Sequence, residues 1–250
     1  MAIDSLPRVA EEHAIRQRLG ARGSERFGVE LLITEVTEMH GGTYCVAGWC
    51  FATGNMIRPL PNGGNWSESL LRPHGVAPGV VLHVQPNGMQ PDSTYPHRTE
   101  DTPIDPAGTK LVKAGPRLWS GFGAPPAAAT LNDAFQGHIG HNSLWNGVLH
   151  GAYVPIATRT RSLYAIAMDC GRLQLFEDGD HLRAYLDDGS GRYNISISCR
   201  QLKELHRRSG LNAVKASLPS SGRLHVRVGL AREWGKYPGK CFVMINGIHW

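Results

Sequence analysis

Covalent or metal chemistry in this 250-residue chain would have to come from five cysteines, twelve histidines and a modest set of carboxylates. Cys45 and Cys50 stand in "GGTYCVAGWCF", a glycine-bounded run that reads as an arm of a hairpin, and with His40 or His74 either thiol could form a Cys–His pair. Five positions apart on a strand, the two thiols point to opposite faces and cannot converge on one ion without a bulge. Cysteine in a Val-Ala-Gly-Trp setting is also commonly a small buried hydrophobe. "HIGH" (His138, His141) lacks the glutamate of a zinc-hydrolase helix. "PHRTEDTPID" gathers His97, Arg98, Glu100, Asp101 and Asp105, a set able to give and take protons at a bound base, or simply a solvated loop. No phosphate-binding glycine loop, nucleophile elbow or dinucleotide fingerprint occurs. The catalytic candidates are therefore Cys45, Cys50, His97, Glu100 and Asp101, with no motif behind them, and no metal or cofactor is expected.

Binding chemistry is better represented. On the same hairpin Trp49 shares a face with Cys45 and Ala47 while Tyr44 takes the other, and Arg58 follows on the next strand. An outward ring with a neighbouring guanidinium would stack a base and hold its phosphate; the alternative is that Tyr44 and Trp49 fill the core on two sides of a hairpin packed between domains. Later segments alternate cleanly. In "HLRAYL", "RYNISISC" and "RLHVRVGL" the aliphatic residues occupy every second position, which leaves Arg183, Tyr185, Arg192, Arg223, His225 and Arg227 as an outer set. If those strands are neighbours, four guanidiniums and two flat rings share one surface suited to a sugar-phosphate chain, unless it is an ordinary solvated sheet face. The loop "REWGKYPGK" adds Arg232, Trp234, Lys236, Tyr237 and Lys240 at a barrel mouth.

The elements that would carry these residues are mostly strands. Acids early, bases late and helical spacing predict a helix over 9–22. Short strands follow at 29–36, 43–51, 55–60 and 79–84, at the spacing of a meander or small barrel. Residues 86–130 are rich in Pro, Gly, Thr and Asp and read as a long irregular loop or lid. A short helix is expected within 131–147, capped by Asn132 or Asp133, then one or two strands in 152–169. Strands at 181–186, 192–199, 223–230 and 240–248 enclose a helix over 200–210 that ends at glycine. The fold class is mainly β, two small β-barrels with a few short helices. Its expected divisions are an N-terminal helix (1–27), a first barrel domain (28–150) and a second (151–250).

Charge divides unevenly along the chain. Residues 1–125 hold 11 Lys and Arg against 12 Asp and Glu, whereas 126–250 hold 15 against 9, so the excess positive charge lies in the second half. Twenty of the 26 cations are Arg, a bias that suits planar contacts with phosphate or base edges and that a GC-rich genome would also give. No basic start with an apolar run and no membrane-length apolar window is present, so a cytoplasmic location without membrane association is expected. An odd, scattered set of cysteines argues for reduced thiols.

The stretch "TEMHGGTYCVAGWCFATGNMIRPL" resembles the opening of the dual OB-containing domain family, and "LHVQPNGMQPDSTYPHRTEDTPID" and "SSGRLHVRVGLAREWGKYPGKCFVMINGIH" resemble its middle and terminal segments. The resemblance covers most of 29–105 and 181–249 and implies two OB-like barrels. It departs where that family has a Gln-Glu-Asn element and this chain reads "HRTED" (97–101). What it implies for function is recognition of nucleic acid, DNA rather than RNA, or servicing of modified bases in bacterial DNA-modification and defence systems. Two alternatives stand beside it: an enzyme acting on a modified base, such as nitrile hydration of a 7-deazaguanine, and a structural subunit binding partner proteins of such a system.

Overall fold

The ring of strands in the first half closes because its first strand finds a partner on each edge. The computed structural model describes residues 28–113 and 126–250; the helix expected at 9–22 and residues 114–125 of the expected loop lie outside them. The strands are β1 (Val29–Glu38), β2 (Thr43–Cys50), β3 (Asn55–Pro61), a two-residue β4 (Trp66–Ser67), the single-turn helix α1 (Glu68–Leu71), β5 (Val81–Pro86) and β6 (Asp101–Lys113). β1 pairs antiparallel with β2 and with β5, β2 with β3, and β5 with β6, while β3 runs parallel to β6. The circuit β1-β2-β3-β6-β5 returns to β1, a closed five-stranded barrel around Leu31, Ile33, Val46, Leu82, Val84 and Ile104. The reading of 86–130 as irregular is thus corrected: a 13-residue strand runs through it and completes the barrel. Backbone pairing overrode a composition that looked unfavourable, because Pro103 and Pro106 need donate nothing to the ladder.

Two details of the hairpin explain the quoted motif. A Cβ on Gly48 would come within 2.8 Å of the Leu32 carbonyl oxygen across the pair, so the "CVAGW" glycine permits the close approach of β1 and β2. At Thr34 the register slips, so that Ile33 and Glu35 face consecutive residues of β2, Gly48 and Ala47. This bulge reverses the alternation. Leu31, Ile33 and Val36 face the barrel interior, and Glu35 is turned outward.

The second half contributes α2 (Leu131–Ala134), β7 (Ser143–Trp145), β8 (Val148–His150), β9 (Tyr153–Pro155), β10 (Leu163–Asp169), β11 (Leu173–Asp178), β12 (His181–Asp187), β13 (Arg192–Ile197), α3 (Arg200–Ser217), β14 (Arg223–Leu230) and β15 (Lys240–His249). They form a second sheet in the order β10-β14-β15-β13-β12-β11, with β13 parallel to β15 and the helix inserted between β13 and β14. Leu182, Ala184, Ile195, Ile197, Val226, Val228, Val243 and Ile245 fill its core, as the alternation predicts. The residues between 128 and 150 also belong to this half. Leu131, Ala134 and Phe135 are in its core and β8 pairs with β13, so the boundary expected at residue 150 falls inside the second assembly. α2 is capped by Thr130, whose Oγ1 accepts from the Asp133 amide at 3.0 Å, rather than by Asn132 or Asp133. Gly210 (φ +75°) breaks α3 as expected, but a second helical segment continues to Ser217.

Candidate functional site

Between the two sheets lies a buried polar seam, and many of the residues singled out for chemistry are in it. Arg227 and Glu35 are each 1% exposed and meet at 3.2 Å between Nε and Oε2. Arg58 donates to Asp101 and, at 2.8 Å, to Ser162 Oγ; Arg232 reaches the other oxygen of Asp101 at 2.7 Å. Glu100 accepts from the amide and hydroxyl of Ser162 at 2.9 and 2.8 Å. The His97 ring bonds the Leu230 carbonyl at 2.9 Å, and the His249 ring bonds that of Thr34 at 2.8 Å. Around this network Ala47, Met56 and Leu163 pack with the half-buried Trp49.

Electrostatics follow from that burial. Desolvation pushes the Glu35 carboxyl up, against the pull of Arg227. Burial would raise Asp101 too, but Arg58 and Arg232 outweigh it and hold its carboxyl below the usual range. Burial, reinforced by Arg58, pushes His97 down to about 4, so its ring is neutral near pH 7. His249 is pushed down to about 4 by burial as well.

Several expectations are corrected by this seam. Arg58 and Arg227 are not on a solvent face; each is buried and held by a carboxylate of its own chain. At Arg227 the outer side of β14 is covered by Glu35 of β1 and Met56 of β3, which is why alternation predicted "outward" correctly and "exposed" wrongly. Trp49 is spent on packing between the halves, and Tyr44 lies half-buried under the Arg200 guanidinium, 4.6 Å from its ring centroid. Cys50 is fully buried in the first core, and burial raises the thiol pKa of Cys45, so neither is a poised nucleophile. His97, Glu100 and Asp101 are buried structural partners rather than a loop acid and base; Arg98 is exposed beside them. Arg223 is exposed and donates to the Ala167 carbonyl at 3.4 Å, and His225 is half-buried; β14 is separated from β13 by β15, so neither joins Arg183 and Arg192 on one patch.

What remains comes together on the outer side of β12, β13 and β15. Phe176 and Tyr185 stack with ring centroids 4.3 Å apart and 17° between planes. Arg192 lies over Tyr185 at 4.6 Å and donates to Gln174. Arg183 bonds Asn194 and Ser196 at 2.7 and 2.8 Å and is 3.8 Å from the exposed Asp178. Asn194 in turn meets the His150 ring at 3.3 Å, and Trp145 tilts over His150 with centroids 6.4 Å apart. From there the face continues through Asn142 to Lys240, whose ammonium sits 4.4 Å over Tyr153. Tyr153 contacts Phe242, Phe242 contacts Tyr237, and Tyr237 contacts Trp234, with Lys236 5.4 Å over Tyr237 and 5.6 Å over Trp234.

The ladder joins seven of the sequence candidates (Arg183, Tyr185, Arg192, Trp234, Lys236, Tyr237, Lys240) to residues that sequence reasoning missed. Phe242 was available from alternation, since Cys241 and Val243 face the core. Phe176 required recognising β11, and Tyr153 reaches the face only through pairing with Phe242 across 89 positions, a contact with no local signal. Cation–π contacts of this kind hold Lys and Arg beside rings without neutralising them. The face can therefore offer flat apolar surfaces and positive charge at once. Among the described residues no group of three or more His, Cys, Asp and Glu is placed to hold a metal, and no helix is long and apolar enough to cross a membrane.

None of the curated proteins matches this sequence. Among solved structures, that of the tetrameric p202 HIN2 is similar over 88% of each chain, at 8% identity and a TM-score of 0.33, a likeness too slight to carry argument. The family model of the dual OB-containing domain matches residues 29–248, which span the closed barrel, the second sheet and the seam between them. The chain belongs to the dual OB-containing domain family.

Proposed function

We propose that this chain binds single-stranded nucleic acid along the outer face of β12, β13 and β15. The second sheet is read as another OB-like barrel: β10 and β11, joined by a turn at Cys170–Arg172, are the two halves of one bent strand that pairs with β14 at one end and β12 at the other. The partnerships then repeat those of the first barrel, including the parallel pair and the inserted helix. OB folds bind oligonucleotides on the face of their second and third strands, flanked by the loop between the fourth and fifth. In the second barrel these are β12 and β13 with residues 231–239, the positions of Arg183, Tyr185, Arg192, Trp234, Lys236 and Tyr237. In the first barrel the same face carries Ala47, Trp49, Met56 and Arg58 and is covered by the second half. The observation that carries the reading is the pair of ring-and-cation clusters on this face, Phe176–Tyr185–Arg192 and Tyr153–Phe242–Tyr237–Trp234 with Lys236 and Lys240, joined by hydrogen bonds through Asn194, His150 and Asn142.

Stacking and charge are common to DNA and RNA, so fluorescence anisotropy with labelled oligo-dT and oligo-U tests the reading and separates the two. Tyr185→Ala and Trp234→Ala each remove one stacking platform, and each is expected to weaken binding about 5- to 150-fold. Unaltered affinity in both variants, or no binding by the parent protein at low salt, refutes the proposal. The enzymatic alternative loses support because its five candidate residues are buried or structurally committed.

A further inference from the structure

The β7–β8 hairpin rises from the middle of the ladder and is anchored through its inner arm and its base. β8 pairs in parallel with β13 through Leu149 and His150, Val148 is 8% exposed, and the Asn142 amide donates to the His150 carbonyl at 2.9 Å. The outer arm pairs with β8 across a two-residue Asn146–Gly147 turn whose φ values of 49° and 72° suit the tight hairpin connection. At its tip Leu144 and Trp145 are 63% and 67% exposed, among the most exposed large apolar residues described. The Ser-Leu-Trp-Asn-Gly tip has no charge of its own, yet Arg183 lies on one side of its base, through Asn194 and His150, and Lys240 on the other, through Asn142.

We infer that this hairpin is a wedge for the junction between duplex and single strand, with Trp145 stacking on the last base pair where a strand departs along the face. The inference rests on the proposed single-strand binding. Apolar side chains that enter base steps are a recurrent device for unstacking a duplex, and the energy for it comes from neighbouring contacts to the backbone. β8 pairs with β13, and the Gly140–Tyr153 bridge joins the chain leading into β7 to β9, so the hairpin lies between the Phe176–Tyr185 and Tyr153–Phe242–Tyr237 platforms, in the path of a strand crossing the face. The flanking cations match the backbone charge that a fork concentrates, and a flat apolar ring matches the exposed face of its terminal base pair.

The test uses the full chain and a short DNA duplex with an oligo-dT tail, carrying 2-aminopurine in the pair next to the tail. The parent protein is expected to bind the tailed duplex about tenfold more tightly than oligo-dT alone, one stacking contact's worth, with a rise in 2-aminopurine fluorescence at saturation. Trp145→Ala should bring the affinities for the tailed duplex and for oligo-dT to within about twofold of each other and abolish the fluorescence rise, Trp145→Phe should restore both effects, and Leu144→Ala should weaken them. Both side chains are exposed, and an unchanged circular dichroism spectrum confirms folding. Equal affinity for tail and fork without a fluorescence change, or a Trp145→Ala variant indistinguishable from the parent on the fork, overturns the wedge alone. Absence of oligo-dT binding overturns the wedge together with the function it rests on.

Discussion

Arg227→Ala should unfold much of what joins the two halves while leaving the nucleic-acid face untouched. Arg227 and Glu35 are each 1% exposed and 3.2 Å apart, and the second carboxylate oxygen of Glu35 is buried without a hydrogen bond. Removing the guanidinium leaves that carboxylate in the seam without its ion-pair partner, with Arg58 alone opposing its desolvation, which costs about 3 to 5 kcal/mol for a buried pair. Against a total of roughly 5 to 15 kcal/mol for a folded protein, this is a large share. Replacing both residues, Arg227→Met with Glu35→Leu, removes the buried charge altogether and should recover most of the loss. Urea denaturation at pH 7, followed by tryptophan fluorescence, reads both variants. The pH dependence has a defined sign. Burial raises the Glu35 carboxyl in the folded state, so its contribution is favourable below its unfolded value and is lost as pH rises through the folded one. Without Arg227 that rise grows, and the deficit of the single variant relative to parent should be largest at neutral pH and shrink toward pH 4.5. A cost below about 1 kcal/mol, the range of an exposed pair, refutes the seam as described. So does weakened oligonucleotide binding in a variant of unchanged stability.

Three further outcomes are expected. His97 and His249 are both pushed down to about 4, so the stability each contributes is complete above the ordinary histidine range near 6.5 and is lost as pH falls toward 4; the difference in urea midpoint between the two ends of that window should be about twice as large in the parent as in a His97→Gln variant, which keeps His249, and an equal difference in the two would contradict their burial. Cys50, Cys199 and Cys241 are buried, and burial pushes Cys199 and Cys241 up to about 11, so in the native protein these three should resist a thiol-titrating disulfide reagent and react only on unfolding. Fast reaction at neutral pH without unfolding would contradict their placement. Gly48→Ala puts a methyl 2.8 Å from the Leu32 carbonyl oxygen and should cost about 1 to 3 kcal/mol by forcing β1 and β2 apart, whereas a change under about 0.5 kcal/mol in denaturation would show that the pair tolerates the shift.

Local patterning carried most of the β architecture. Period-2 runs such as "HLRAYL" and "RLHVRVGL" identified strands and their core-facing sides, because one face of each packs on a core and composition records that. The same rule misplaced Arg227. An outward residue is exposed only if no second layer covers it, and the covering layer, β1, lies almost 200 positions earlier in the chain. Glu35 was hidden by the bulge at Thr34, which shifts its parity by one with no marker such as glycine. The segment 86–130 read as loop because proline and glycine are poor strand formers, yet parallel pairing with β3 holds β6 in place. Trp234, Lys236 and Lys240 were legible as an aromatic, basic loop. Their continuity with Tyr185 through Tyr153, Phe242 and His150 was not, since each link joins different strands.

The central claim is that the ladder meets a polyanion, and the salt dependence of oligo-dT binding tests it most directly. With Arg183, Arg192, Lys236 and Lys240 each displacing a counterion from a single strand, the plot of log affinity against log salt should have a slope near −3, about a 50-fold loss between about 50 and 200 mM. Lys236→Ala with Lys240→Ala should bring that slope to about half. A slope near zero, or one that the double substitution leaves unchanged, would contradict the account.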